Sequence, residues 1–167
     1  MFSELWKALS EIFQKPVPPV KLPMPANQVG VDTDKFTDVE ILARTIYGEA
    51  RGESELGKMG VAAVIINRAA IGGWWGKTPR EVCLARYQFS SWNRNDPNRA
   101  LLMKPQITDL AYQACYQIAA QAMTGEMADP TDSADSYCVT GLRTSWNANL
   151  DPCKVIGKHS YYRTVKK

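Results

Sequence analysis

The chain has 167 residues, 45% of them hydrophobic and 22% charged, and a formal net charge of +3. That length carries one domain with an appendage, and a core that needs neither disulfide nor metal to hold it. No apolar run approaches the ~20 residues of a membrane-spanning helix. The basic excess is too slight and scattered for the dense stripe of a nucleic-acid binder, while it suits an anionic polymer.

In chain order, Phe2, Leu5, Trp6, Leu9, Ile12 and Phe13 fall on one helical face, so residues 1–14 form an amphipathic helix. Its periodic apolar residues and the lack of a basic start set it apart from a secretory leader. Its few lysines favour docking on its own domain over a membrane surface. Five prolines between Pro16 and Pro25 make 15–34 an extended linker. The main domain is expected over 35–167.

Thr37-Asp38-Val39-Glu40 has the pattern of a capping box. Val39, Leu42, Ala43, Ile46 and Tyr47 then recur at helical spacing, and Gly48 is expected to loosen the helix end. A second helix is expected over 55–70, with Leu56, Met59, Ala63 and Val64 inward. Small residues such as Gly57 and Gly60 permit close approach, and Gly72-Gly73 end it. Thr78-Pro79-Arg80-Glu81 signals another helix start, and Asp96-Pro97 a short helix to about Met103, with Asp96 as its cap. Residues 107–123 form the longest candidate, stopped by Gly125.

Residues 126–167 are rich in Asp, Ser, Thr and Asn, with 136–140 and 159–165 as short strands or irregular chain. Lys154, Lys158, Arg163, Lys166 and Lys167 read as a solvated basic end. The expected fold is mainly α, with a loop-rich, slightly stranded C-terminal portion.

One histidine and four cysteines without C-x-x-C spacing do not make a usual zinc set. No metal or cofactor is expected. Cys83 and Cys115 fall in helical patterns as buried thiols. Cys138 and Cys153 are a candidate bridge if the chain meets an oxidising compartment.

The chemistry concentrates in Tyr47-Gly48-Glu49-Ala50-Arg51-Gly52-Glu53, at the end of a helix with a buried face. A carboxyl held there beside apolar neighbours has its charged form disfavoured and keeps a proton near neutral pH. The alternative is a surface carboxylate paired with Arg51 or Arg44. Glu53, four residues on, is a possible second carboxylate only if the helix continues past Gly52; a structural or pKa-modifying role competes.

YGEARGE at 47–53 is followed by GKMGVAAVIINR at 57–68, TPREVC at 78–83, YQFSSWNRNDPN at 87–98 and IGKHSYYR at 156–163. This ordered set, spanning about residues 38–163, resembles the cell wall hydrolase family of the spore-cortex-lytic SleB/CwlJ type, and especially phage endolysins with this domain. The resemblance implies a lysozyme-like helical domain acting on bacterial peptidoglycan. The bond would be that from N-acetylmuramic acid to N-acetylglucosamine, with Glu49 as catalytic acid. The reaction would be that of a lytic transglycosylase, giving a 1,6-anhydro sugar, or of a muramidase. A monomer working at the wall and released by a holin-type route fits that picture.

By the same analogy Gln88, Phe89 and Ser90 line the cleft, with Phe89 in the core as the alternative. Trp92 is a candidate sugar platform, and Tyr47 an apolar neighbour of the acid. Asn67 either orients Glu49 or substrate, or is bonded to backbone within the fold. Trp74 and Trp75 are either a cleft wall or packing beneath their glycine-rich loop. His159, the lone histidine, is either structural or a substrate contact. Where relatives tend to show Gly-Ala-Thr-His-Tyr, this chain has Ser133-Ala134-Asp135-Ser136-Tyr137. A cleft histidine is therefore missing, which leaves the part of Tyr137 open. A non-catalytic wall-binding module with this fold is the competing reading.

Overall fold

A computed structural model describes residues 33–85, 88–93, 96–105 and 108–165. The expected N-terminal helix and most of the linker lie outside the described residues. The linker was expected to reach residue 34, yet Thr33–Lys35 already form a 3-10 turn. Arg80 fastens it, donating to the carbonyls of Thr33 (2.8 Å) and Phe36 (2.8 Å).

Helix α1 spans Asp38–Ala50. Its capping box forms as the sequence expects: Glu40 N–H donates to Thr37 Oγ1 (3.2 Å) and Thr37 N–H to Glu40 Oε2 (2.8 Å). Ile41, Leu42, Ala43 and Ile46 are all fully buried, so α1 runs through the middle of the core. Helix α2, Glu55–Ile71, starts at Ser54. The short α3 (Pro79–Leu84) is capped by Thr78, and α4 spans Arg99–Met103. Helix α5, Leu110–Thr124, is capped by Asp109 and ends at Gly125 in the left-handed conformation. It packs along α1, and α2 lies against both.

Three strands follow: β1 (Ser136–Val139), β2 (Lys154–Ile156) and β3 (His159–Tyr162). They form an antiparallel sheet in the order β1-β3-β2. The architecture is mainly α with this small sheet, as the patterning implies. A second apolar cluster of Val64, Ala134, Ile156 and Tyr161 joins the sheet to α2. Gly60 sets that contact, since a Cβ there would lie 2.3 Å from the buried Tyr161 hydroxyl and 2.7 Å from its Cζ.

Several expectations change. Leu56, expected inward, is 49% exposed: the apolar stripe continues one turn beyond Gly60, past the face that Tyr161 covers. Gly48 does not loosen α1, which continues to Ala50. It instead admits neighbours, for a Cβ there would meet Leu102 Cδ1 at 2.8 Å and Ser91 Oγ at 3.1 Å. Asp96 accepts from Asn98 N–H (2.8 Å), while Asn98 occupies the cap position of α4. The basic residues at 154–163 are no loose end, because Lys154 pairs in β2 and Arg163 reaches Asp132 at 3.4 Å.

All four cysteines are free, and Cys83 and Cys115 are buried as their helical positions imply. Cys138 lies on β1 and Cys153 beside β2, with β3 between. Two strand spacings put them about 9.5 Å apart, beyond the ~7 Å reach of a disulfide. The possible bridge is therefore excluded.

Gly60→Ala is expected to destabilise the domain by about 1–3 kcal/mol, because a buried ring must shift to admit the methyl group. Chemical denaturation measures this.

Candidate active site

Glu49 sits in the last turn of α1, half-buried. Two hydroxyls from distant parts of the chain reach its carboxyl. Tyr137, on β1, donates to Oε2 at 3.1 Å, and Ser91, in a 3-10 turn at Ser90–Trp92, donates to Oε1 at 3.3 Å. Both bonds are long for O–H···O contacts, whose usual spacing is about 2.7–2.8 Å, so they favour the charged form only weakly.

Burial is the larger influence and pushes the Glu49 carboxyl above the ordinary carboxylate range. The charge of Asp96 pushes the same way, while the two hydroxyls and Arg68 oppose it. The Tyr137 phenol is in turn raised well above its ordinary value, first by burial and then by the Glu49 charge. The pair is a neutral phenol donating to a carboxyl that holds its proton more tightly than one in water.

Beside Tyr137 opens a cavity of about 420 Å³. Arg68 and Trp74 from the end of α2 and the turn after it, Gln88, Ser136 and Tyr137, and Trp146 and Thr164 from the C-terminal portion contribute to its wall. Tyr137 belongs to both places: it lines the cavity and bonds to Glu49. Arg68 is fixed by Nε donating to the Asp135 carbonyl (2.6 Å) and Nη1 donating to Gln88 Oε1 (2.8 Å). Burial lowers its pKa.

The expected site residues divide. Glu49, Tyr137 and Gln88 come together here. Ser90 is exposed, and its hydroxyl bonds to Asp96; its neighbour Ser91 is the one that reaches Glu49, since successive side chains diverge. Phe89 is buried in the core. Trp92 is 7% exposed and donates its indole N–H to Thr45 Oγ1 (2.9 Å), so it is packing rather than a sugar platform. Tyr47 is buried, stands edge-on to Tyr112 and donates to Asp109. Residues two apart on a helix do not share a face, and Tyr47 therefore supports α5 instead of Glu49.

Asn67 turns to the loop before β1, donating to Asp129 Oδ2 and to the Ala134 carbonyl, both at 2.9 Å. This is the backbone-bonded alternative. Trp74 and Trp75 separate: Trp75 is 3% exposed and Trp74 is 75% exposed, although their rings touch at 4.9 Å between centroids. His159 stands edge-on to Tyr137 at 5.1 Å and is not among the residues named in the cavity wall. Glu53 faces the β2–β3 turn, near Lys158 (Nζ at 3.9 Å) and Gly157, where a Cβ would meet Oε2 at 2.5 Å.

Arg68, Ser91 and Trp146 escaped the sequence reading. A charge two residues after the apolar run Val61–Ile66 was the available signal for Arg68. An exposed-loop tryptophan was the signal for Trp146. Nothing local marks Ser91, which depends on Gly48 across the fold.

The Cell Wall Hydrolase family profile matches residues 52–162. The chain belongs to the cell wall hydrolase family. Among solved structures, the catalytic domain of Bacillus cereus SleB is similar with a TM-score of 0.60 and 26% identity, covering 81% of this chain and 100% of that one. The catalytic domain of the germination-specific lytic transglycosylase SleB from Bacillus anthracis gives a TM-score of 0.58 and 26% identity over 81% and 99%. This is the lysozyme-like fold that the sequence motifs imply. Spore cortex-lytic enzymes of Halalkalibacterium halodurans and B. cereus are 55% identical over 31 residues. That stretch is 19% of this chain and only 9% and 12% of theirs. The family match begins at Gly52, just after Glu49, so the assignment of Glu49 rests on its motif and surroundings. No helix among the described residues is long and apolar enough to cross a membrane.

The two adjacent tryptophans give a direct check of this division. Trp75→Ala is expected to cost about 3–5 kcal/mol of stability as a core truncation. Trp74→Ala is expected to stay within about 0.5 kcal/mol of the parent as a surface change, read by denaturant titration.

Proposed function

We propose that this cell wall hydrolase cleaves the glycan strand of bacterial peptidoglycan between N-acetylmuramic acid and N-acetylglucosamine, with Glu49 as acid and then base. The observation that carries the proposal is the half-buried Glu49 carboxyl, its pKa raised by burial, one hydrogen bond from a cavity with an exposed indole in its wall. Family membership and similarity to a catalytic domain described as a lytic transglycosylase support it.

In the first step the Glu49 proton goes to the glycosidic oxygen as the bond to the muramyl anomeric carbon breaks, through an oxocarbenium-like transition state. The leaving N-acetylglucosamine departs as a neutral hydroxyl. The Glu49 carboxylate then takes the proton of the muramyl six-hydroxyl while that oxygen closes on the anomeric carbon, giving the 1,6-anhydro sugar and restoring the acid.

We favour this transglycosylase course over hydrolysis because the other carboxylates near the site are committed elsewhere. Asp96, whose charge is felt at Glu49, accepts from Asn98 and Ser90. Glu53 faces Lys158 and Gly157. Tyr137 and Ser91 hold the ionised intermediate state, donating to the carboxylate just when it is charged. Resemblance of the motif set to phage endolysins supports host-cell lysis as the setting.

Glu49→Gln is expected to lower turnover of purified peptidoglycan by about a hundred- to ten-thousand-fold or more. Mass spectrometry of the parent digest is expected to show anhydro ends, one water lighter than reducing ends. Reducing ends alone would replace the transglycosylase course with hydrolysis, and full activity of folded Glu49→Gln would remove the assignment.

The same variant makes a thermodynamic prediction. A carboxyl with a raised folded-state pKa is protonated in the native state while already ionised in the unfolded chain. Stability therefore falls as pH rises from about 4.3, the unfolded value, through the folded pKa. Glu49→Gln removes that loss, so its melting temperature relative to the parent is expected to be higher at pH 7 than at pH 4. Tyr137→Phe deletes a donor that favours the charged form. Its alkaline activity limb is expected to move to higher pH, read from kcat/KM profiles.

A further inference from the structure

Arg68 is a half-buried guanidinium in a cavity wall, and among the described residues no carboxylate lies within 4.0 Å of it as an ion-pair partner. Its named partners are neutral: the Asp135 carbonyl and the Gln88 amide oxygen. The Asp135 and Glu49 charges act on it only from beyond that distance, and burying a cation without a close counter-charge is costly. Here two neutral acceptors and the rings of Trp75 and Phe89, 5.8 and 5.7 Å away, hold it in place. A guanidinium so fixed has the planar fork that matches a carboxylate.

The same cavity is edged by two exposed indoles from separate parts of the chain, Trp74 and Trp146, the latter 42% exposed. Each is braced by an aromatic neighbour: Trp74 by Trp75, and Trp146 edge-on by Tyr162 at 5.3 Å. Rigid exposed aromatic faces suit the apolar faces of sugar rings. Cation and indoles together describe a ligand that is a sugar carrying an acid.

We propose that this cavity is a subsite for a muramyl residue, with Arg68 binding a carboxylate on that residue and Trp74 and Trp146 packing on its sugar ring or its neighbour's. This rests on the reading of the protein as a peptidoglycan-cleaving enzyme and names the feature of the strand that it selects. The carboxylate has two sources of one chemistry: the lactyl group of muramic acid, free when the stem peptide is removed, or an acid within the stem peptide. N-Acetylglucosamine carries neither, so the subsite distinguishes the two sugars of the strand.

The test measures binding of the full chain to three glycans of equal length, by tryptophan fluorescence. They are chitooligosaccharide, strands freed of stem peptides by an amidase, and strands that keep their stems. To prevent turnover, Glu49→Gln is the parent for binding. At least one carboxylate-bearing strand is expected to bind about ten- to a hundredfold tighter than chitooligosaccharide, the range for one charge-assisted contact. Arg68→Gln in that background is expected to erase this preference while leaving chitooligosaccharide binding in place. Arg68→Lys, which keeps the charge without the fork, is expected to fall between and covers the case in which the glutamine variant does not fold.

Trp74→Ala is expected to weaken all three glycans. Tighter binding of the amidase-treated strands assigns the lactyl carboxylate, and tighter binding of the stem-bearing strands assigns the peptide. Equal loss on all three glycans in folded Arg68 variants, or no loss, overturns the proposal. Failure of the Glu49-intact protein to cleave any peptidoglycan would instead overturn the enzymatic reading, whatever the binding data show.

Discussion

The site depends on keeping one carboxyl out of water without giving it a strong partner. Glu49 has an ordinary position in the last turn of a helix, and a carboxylate there is normally solvated. Two contacts change that. Gly48 lets Leu102 and Ser91 close on the helix where a side chain would hold them off, and Tyr137 reaches over from β1. Had the hydroxyls approached to the 2.5–2.7 Å of a charge-assisted bond, they would have favoured the anion and offset the burial. At 3.1 and 3.3 Å desolvation dominates, and the carboxyl is held above its ordinary range.

That balance needs the sheet to be fixed relative to the helices, since Tyr137 comes from one and Glu49 from the other. Arg68, near the end of α2, bonds to the Asp135 carbonyl just ahead of β1. The buried Asp135 carboxylate accepts from the backbone of Thr164 and Val165 beyond β3 and from the Ser136 hydroxyl. Asn67 holds the loop before β1, and Glu53 meets the β2–β3 turn. Gly60 lets Tyr161 pack directly on α2. The residues between 126 and 165, loop-like in composition, are thus fastened to the helical core at Asp129, Ala134, Asp135, the β2–β3 turn and Tyr161.

Helices were legible in the sequence because their signals are local. The Thr37 capping box, Thr78-Pro79 and Gly125 all act where the spacing places them. Glu49 could be singled out because its motif is short and contiguous, and its part-buried position at a helix end was legible in the same way. The rest of the site was not, because its geometry is tertiary. Ser90 and Ser91 are identical in composition and adjacent, and only the 3-10 turn decides which of them meets Glu49. Trp74 and Trp75 are likewise indistinguishable until one is seen buried and the other exposed. Trp92 satisfies its indole N–H on Thr45 of α1, a partner 47 residues away that no pattern announces. Asn67, a candidate through its motif, and Tyr47, a candidate as an apolar neighbour of the acid, serve loop and helix ends instead.

Charge balance links Arg68 to the acid. When Glu49 is protonated, the Arg68 charge keeps only the Asp135 carboxylate, beyond ion-pair distance, as a counter-charge, and a developing oxocarbenium ion would add a second positive charge to the same neighbourhood. Arg68 also lowers the proton affinity of Glu49, which works against its use as an acid. A carboxylate brought by the substrate cancels both effects at once: it pairs with the guanidinium and removes the pull on the Glu49 proton. Binding and protonation are then coupled, and by linkage the coupling is reciprocal. A strand bearing the carboxylate binds more tightly to the protonated enzyme, and the enzyme holds its proton more tightly when that strand is bound. On the proposed binding mode, an arrangement that looks unfavourable in the free protein becomes better balanced with a charged sugar in place.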